Sequence, residues 1–184
     1  MSSSPPVRDP KEGSWPSPLV IDIETVGLEW SELQEEVRQY LLQRVDEDRR
    51  EEVPQRLGLH PATGRIVAIG LWRPEEDRGG VLVASRPAEP PGLGEEAGTS
   101  APGWVEFEDG AKIYRGSEKE ILQEFWCYVA QFAGTVITFN GRSFDGPFLM
   151  LRSAILGIAP SRNLVPFRYS FQQHCDLLEV LTFF

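Results

Sequence analysis

Cysteine is scarce in this chain of 184 residues: only Cys127 and Cys175 occur, without C-x-x-C spacing, so neither a zinc site nor a disulfide framework is indicated. A reducing, cytoplasmic setting is the simple reading. Long apolar runs are missing as well. No stretch approaches the ~20 residues of a membrane span, and the opening MSSSPPVRDPKEGSWPSP has no apolar signal-peptide core. No membrane partner is therefore expected, and residues 1–17 read as a disordered tail. Basic excess is also lacking. The 18 Lys and Arg face 28 Asp and Glu, a formal net charge of -10, which argues against a protein that wraps nucleic acid by neutralising its phosphates. The acidity is uneven, however: residues 135–184 hold four Arg against three acids, so it belongs to the first two-thirds.

What is present is ordinary globular usage, 41% hydrophobic and 25% charged, in a chain sized for one domain with a real core. LVIDIETV reads as a central strand ended by Gly27. From Trp30 to about Glu52 apolar residues recur at three- and four-residue steps among many charges, which predicts an amphipathic helix. The Pro- and Gly-containing turn LHPATG leads into a second strand, Arg65 to Trp72, and VLVAS after Gly79 and Gly80 is a third. Residues 86–103 are too rich in Pro, Gly and Glu to pack and read as a surface insertion. WVEF and KIY around Asp109 and Gly110 predict a hairpin. Ser117 and Glu120 form a capping-box pattern that opens a helix to about Phe132. TVITF is another buried strand, GPFLMLRSAILGI a helix with Pro147 in its first turn, and HCDLLEVLTFF a short strand followed by the first turns of a helix. Strands first, then helix–strand–helix, predict an α/β domain with a mixed central sheet flanked by helices.

Two stretches carry candidate chemistry. Asp22 and Glu24 sit two apart in a strand and so share a face. Their like charges repel unless a cation lies between them, and hard oxygen donors at this spacing suit Mg²⁺ or Mn²⁺. Taken alone, the pattern is more often a strand end at which both acids reach solvent. In FNGRSFDGPF, Asp145 falls at a helix start, where free amides favour a negative charge. Read singly, Asp145 is only a helix-start acid and Asn140 only a turn residue. His60 and Arg65 flank a turn that could meet phosphate, although turn and strand-edge roles are the commoner use of such residues. Asp176 reads as a helix cap.

Taken together, DIET on the first strand and N-x-x-x-F-D between a later strand and helix resemble the first two motifs of the DEDD family of 3′-5′ exonucleases, which have a ribonuclease-H-like fold. LHPATGRIVAIGL, GSEKEILQEFW and ITFNGRSFDGPFLMLRS resemble more narrowly the predicted exonucleases related to the proofreading domain of family B DNA polymerases. The resemblance covers residues 18–184 apart from the insertions. It implies that Asp22, Glu24 and Asp145 are catalytic metal ligands for Mg²⁺ or Mn²⁺, two ions in a complete site, and that Asn140 and Phe144 lie near the nucleic acid; Thr25 and His60 join them as candidate nucleic-acid contacts. The implied substrate is the 3′ end of single-stranded DNA or RNA, more in keeping with DNA, and the implied reaction is two-metal phosphodiester hydrolysis.

The family's third motif, Y-x-x-x-D or H-x-x-x-x-D on a last helix, is not found. Tyr169 is followed four residues on by Gln173, and His174 with Glu179 imitates the second form with Glu in place of Asp. HCDLLEVL resembles instead the strand before that helix. The expectation is a domain over residues 18–184 that lacks its final helix and is inactive or weak in this form. The alternative is a catalytically impaired nucleic-acid- or protein-binding module of the same fold.

Overall fold

A computed structural model describes residues 17–85, 102–107 and 110–183. The expectations for the N-terminal tail and for most of the insertion lie outside these residues. Among these described residues, seven strands form one mixed sheet in the order β4-β5-β3-β2-β1-β6-β7. The central strand β1 (Leu19–Gly27) runs antiparallel to β2 (Gly64–Arg73) and parallel to β6 (Val136–Thr138). Beyond β2 lie β3 (Arg78–Ala84), β5 (Lys112–Gly116) and the edge strand β4 (Gly103–Glu106), and β7 (His174–Asp176) runs parallel to β6 at the other edge. This is the mixed central sheet flanked by helices that the sequence predicts. Glycine 79 and its neighbour lie inside β3 rather than before it. A Cβ on Gly79 would come within 2.6 Å of the Trp72 ring on the paired strand, so the glycine makes room for an indole rather than ending a strand.

Two crossovers connect parallel strands: α2 (Glu118–Gln131) between β5 and β6, and α3 (Asp145–Ile155) between β6 and β7. Both advance along the sheet in one direction, so right-handed connection puts both helices on the same face. Alternation in β1 follows: Leu19, Ile21 and Ile23 are buried against that face while Asp22 and Glu24 are exposed on the other. Ile121, Leu122, Phe125, Trp126 and Val129 of α2 and Phe148 and Leu149 of α3 complete the core. The Ser117 capping box is present as predicted, with the hydroxyl accepting from the Glu120 N–H and Glu120 accepting from the Ser117 N–H.

The long helix expected from Trp30 to Glu52 is instead three pieces. Short 3-10 helices at Trp30–Glu32 and Glu47–Glu52 flank α1 (Glu35–Gln43), in which no residue is buried. Without a packed face, a charged periodic segment has too little tertiary support to sustain a continuous helix. A final short helix, α4 (Leu177–Leu181), follows β7.

Glu118 at the start of α2 ties three elements together. Its Oε1 accepts from the Ile66 N–H of β2 at 2.8 Å and from Arg152 Nε of α3 at 2.7 Å, its Oε2 accepts from Arg152 Nη2, and Arg152 Nη1 donates to the Pro61 carbonyl. Arg152 is 9% exposed. Replacing it with Ala strands a largely enclosed carboxylate, so Arg152→Ala should lower unfolding stability by roughly 3 kcal/mol in urea titration, whereas a simultaneous Glu118→Gln should recover part of that loss.

Candidate functional site

The pairing of β1 with β6 ends at Val20 opposite Ile137. Beyond that point the two strands part, and the chain leaving β6 turns through residues 139–144 into α3. The turn is tight. Asn140 adopts φ +61°, a left-handed conformation that Asn tolerates better than most residues. A Cβ on Gly141 would sit 2.4 Å from the Thr138 side chain, so the next position requires glycine. The Gly146 N–H then donates to the Gly141 carbonyl at 2.7 Å. This loop sets Asp145, the first residue of α3, into the fork between β1 and β6. There Asp145 Oδ1 accepts the Ile23 N–H at 3.1 Å, in effect taking the place of a β6 partner. The fork lies at the carboxyl ends of parallel strands, where sheets of this kind tend to place their ligands.

Asp22 and Glu24 both face solvent, and the buried carboxylate is Asp145, 3% exposed. Burial pushes Asp145 up to about 6 from its ordinary 3.8. Its own N–H and that of Ile23 pull the other way, and the negative charges of Asp22 and Asp176 push it up further. Asp22 and Asp145 are thus brought together from opposite ends of the chain, while Glu24, on the face of Asp22, is not among the groups acting on Asp145. None of the three forms an ion pair within 4 Å among the described residues. A register shift between Glu24 and Thr25 marks the spot with a bulge, a device that re-aims side chains beside functional sites.

The other expected residues are spread more widely. Thr25 Oγ1 donates to the Gly58 carbonyl at 2.7 Å. His60 is exposed in the turn beyond the Gly27 end of β1, with Nδ1 accepting the Ala62 N–H. Phe144 is half-buried and its ring lies 5.5 Å from that of Phe148, and Asn140 is exposed beside the fork. His174 is 1% exposed, with Nε2 bonded to Thr138 Oγ1 and Nδ1 to the Leu164 carbonyl, each at 2.7 Å. A carbonyl only accepts, so Nδ1 carries the proton and Nε2 accepts from Thr138; burial holds the imidazole below its usual pKa. Its partner in the imitated motif, Glu179, pairs with Arg142 and Arg168. His174 therefore has no free nitrogen to orient a water.

On the open face, a groove of about 590 Å³ begins at Asp22 and runs over Gly70, Gly79 and Val81 beside Trp72. Among the described residues no three His, Cys, Asp or Glu side chains gather as a metal cage. The donor set does fit a hard divalent ion held more openly, because Mg²⁺ is often bound by one or two carboxylates with waters and substrate phosphates in its remaining positions. The unbalanced charges of Asp22 and Asp145 are what such an ion would neutralise.

Sequence reasoning missed what Asp176 and Arg142 do. Asp176 caps α4 as expected, accepting the Leu178 N–H at 3.0 Å, but also accepts the N–H groups of Asn140 at 2.8 Å and Arg142 at 2.9 Å. The available signal was His174 and Asp176 two apart on a short strand, which turns two polar side chains toward one buried face and demands partners for both.

Known proteins supply two likenesses. Residues 110–184 match the model of a family described as predicted 3′-5′ exonucleases related to the exonuclease domain of PolB, in line with the resemblance read from the sequence. That span contains Asn140, Phe144 and Asp145 but neither Asp22 nor Glu24. Among solved structures, the family B DNA polymerase from the hyperthermophilic archaeon Pyrobaculum calidifontis is similar at 15% identity and a TM-score of 0.49, over 100% of this chain and 17% of the polymerase chain. No curated protein matches the chain. Among the described residues no helix is long and apolar enough to cross a membrane.

A group whose folded pKa is raised favours the folded state below its ordinary value and loses that contribution as pH rises through the raised one. Ionising Asp145 above about pH 6 should therefore work against folding in metal-free protein. In chelator, Asp145→Asn, whose amide oxygen can still accept the Ile23 N–H, should gain stability over wild type by roughly 2–3 kcal/mol between pH 4 and pH 7.5, read from urea midpoints at each pH.

Proposed function

We propose that the chain is a metal-dependent 3′-5′ exonuclease that acts on the 3′ end of a single-stranded nucleic acid. The single observation that carries the reading is a desolvated Asp145 carboxyl held beside Asp22 with no cation to offset either among the described residues. Asp22 and Asp145 would hold Mg²⁺ or Mn²⁺, and Glu24 stands on the face from which substrate would approach. When bound, divalent ions supply charge stabilisation at the phosphate and a more acidic attacking water, and two of them is the number the resemblance implies. The chain's own part is to fix the acids. The Ile23 N–H orients Asp145, β1 sets Asp22 against the strand break, and the Gly70 position leaves the adjacent groove without side-chain obstruction. Local neutralisation by metal reconciles a net charge of -10 with a polyanionic substrate. DNA is favoured over RNA by the family description that matches residues 110–184.

A second reading is a binding module that holds nucleic-acid ends without cutting them. The absence of a three-acid cluster among the described residues favours it.

The two readings separate on a 3′-end-labelled single-stranded oligonucleotide with Mn²⁺ or Mg²⁺. The nuclease reading expects stepwise loss of label that chelator abolishes and that Asp22→Ala and Asp145→Ala each slow at least about a hundredfold. Absence of any metal-dependent digestion by the wild-type chain sinks it, and retained strand binding in that case supports the binding module.

A further inference from the structure

We infer that β7 is the positioning strand of the candidate site, with Asp176 as the positioning residue that fixes the Asn140–Phe144 loop and, through it, the place of Asp145; this rests on the nuclease reading for its catalytic consequence.

Asp176 is 2% exposed, and both its oxygens are engaged. Oδ1 accepts from the N–H of Asn140 and of Leu178, and Oδ2 from the N–H of Arg142. Capping α4 accounts for one of these bonds. The other two hold amides on either side of Gly141, at the turn where Asn140 takes its left-handed conformation. Such a conformation costs an ordinary residue roughly 1–2 kcal/mol and persists where surrounding bonds over-determine it. Amides converging on one anion make a nest, filled here by the protein's own carboxylate. Engaged in this way, Asp176 acts on Asp145 through the loop.

The loop is fastened a second time from the opposite direction. Arg142 Nη1 donates to the Pro166 carbonyl at 2.7 Å, Nη2 to the His174 carbonyl at 3.3 Å, and Nε to Glu179 at 3.1 Å. Immediately before the loop, Thr138 is held by His174. Each polar side chain of β7 directed at the core therefore grips the segment that delivers Asp145: His174 its beginning and Asp176 its middle. The far end closes on the Gly146-to-Gly141 bond and on Ile23. With the loop released, the Ile23 bond and the core packing of α3 are what remain to hold Asp145 beside Asp22. Misplacement of a reacting group by about 1 Å costs on the order of a hundredfold in rate.

Two variants test this. Asp176→Ser keeps a helix-capping hydroxyl for α4 but is too short for the loop, and Asp176→Asn presents an NH₂ where one loop amide needs an acceptor. Amide hydrogen exchange should accelerate at least tenfold at residues 140 and 142 in Asp176→Ser and at one of the two in Asp176→Asn, while exchange in α2 stays at wild-type rates. With Mn²⁺ and a single-stranded oligonucleotide, kcat should fall about a hundredfold and KM stay within threefold. Unchanged exchange at the two loop amides overturns the proposal whether or not the chain digests strands. Loosened amides with kcat within threefold of wild type also overturn it. If wild type and Asp22→Ala are equally inactive, the nuclease reading fails, and positioning stands or falls on the exchange result alone.

Discussion

Right-handed crossover is the constraint from which the rest of this structure follows. Because β5 to β6 and β6 to β7 advance in the same direction along the sheet, α2 and α3 have only one face to occupy. That face becomes the core. The other is left to solvent, which is why a strand that buries Leu19, Ile21 and Ile23 can carry Asp22 and Glu24 without desolvating them. The same constraint starts α3 at the end of β6, beside the strand break, and so delivers a third carboxylate to the side of β1 that has lost its neighbour.

Charge at the fork is organised by depth. Asp22 keeps its hydration, while Asp145 has given up water for the Ile23 N–H and its own amide, and its pKa near 6 reflects that exchange. Asp176, just as buried but supplied with three amide donors, turns its charge to structural use. Three carboxylates, on β1, α3 and β7, thus sit in three different environments, set by how many amides point at each.

Much of this was legible in the sequence where periodicity and local chemistry carry the signal. The two-residue alternation of LVIDIETV, the Ser117–Glu120 cap and the apolar spacing of α2 each map onto the observed elements. The helix expected over residues 30–52 failed because periodicity reports an apolar stripe, not a surface for it to pack on, and α1 buries nothing. Asp145 was identified as a candidate, but its burial was not, since the Ile23 amide that holds it lies 122 positions away. The loop-binding role of Asp176 was hidden for the same reason: a cap bonds within two residues, and its two further bonds reach 36 and 34 residues back.

The separation between Ile23 and Asp145 also has a kinetic meaning. The site is made by a contact that spans 122 positions, and loop-closure entropy must be met before such a contact contributes anything, so high contact order puts its formation late in folding. During synthesis, which runs from the N-terminus, β1 emerges with its paired acids well over a hundred residues before the carboxylate that will join them. Until β6 docks alongside β1, Asp145 remains hydrated with an ordinary affinity for protons. The electrostatic burden of the site is therefore taken on only when the rest of the fold is in place to bear it.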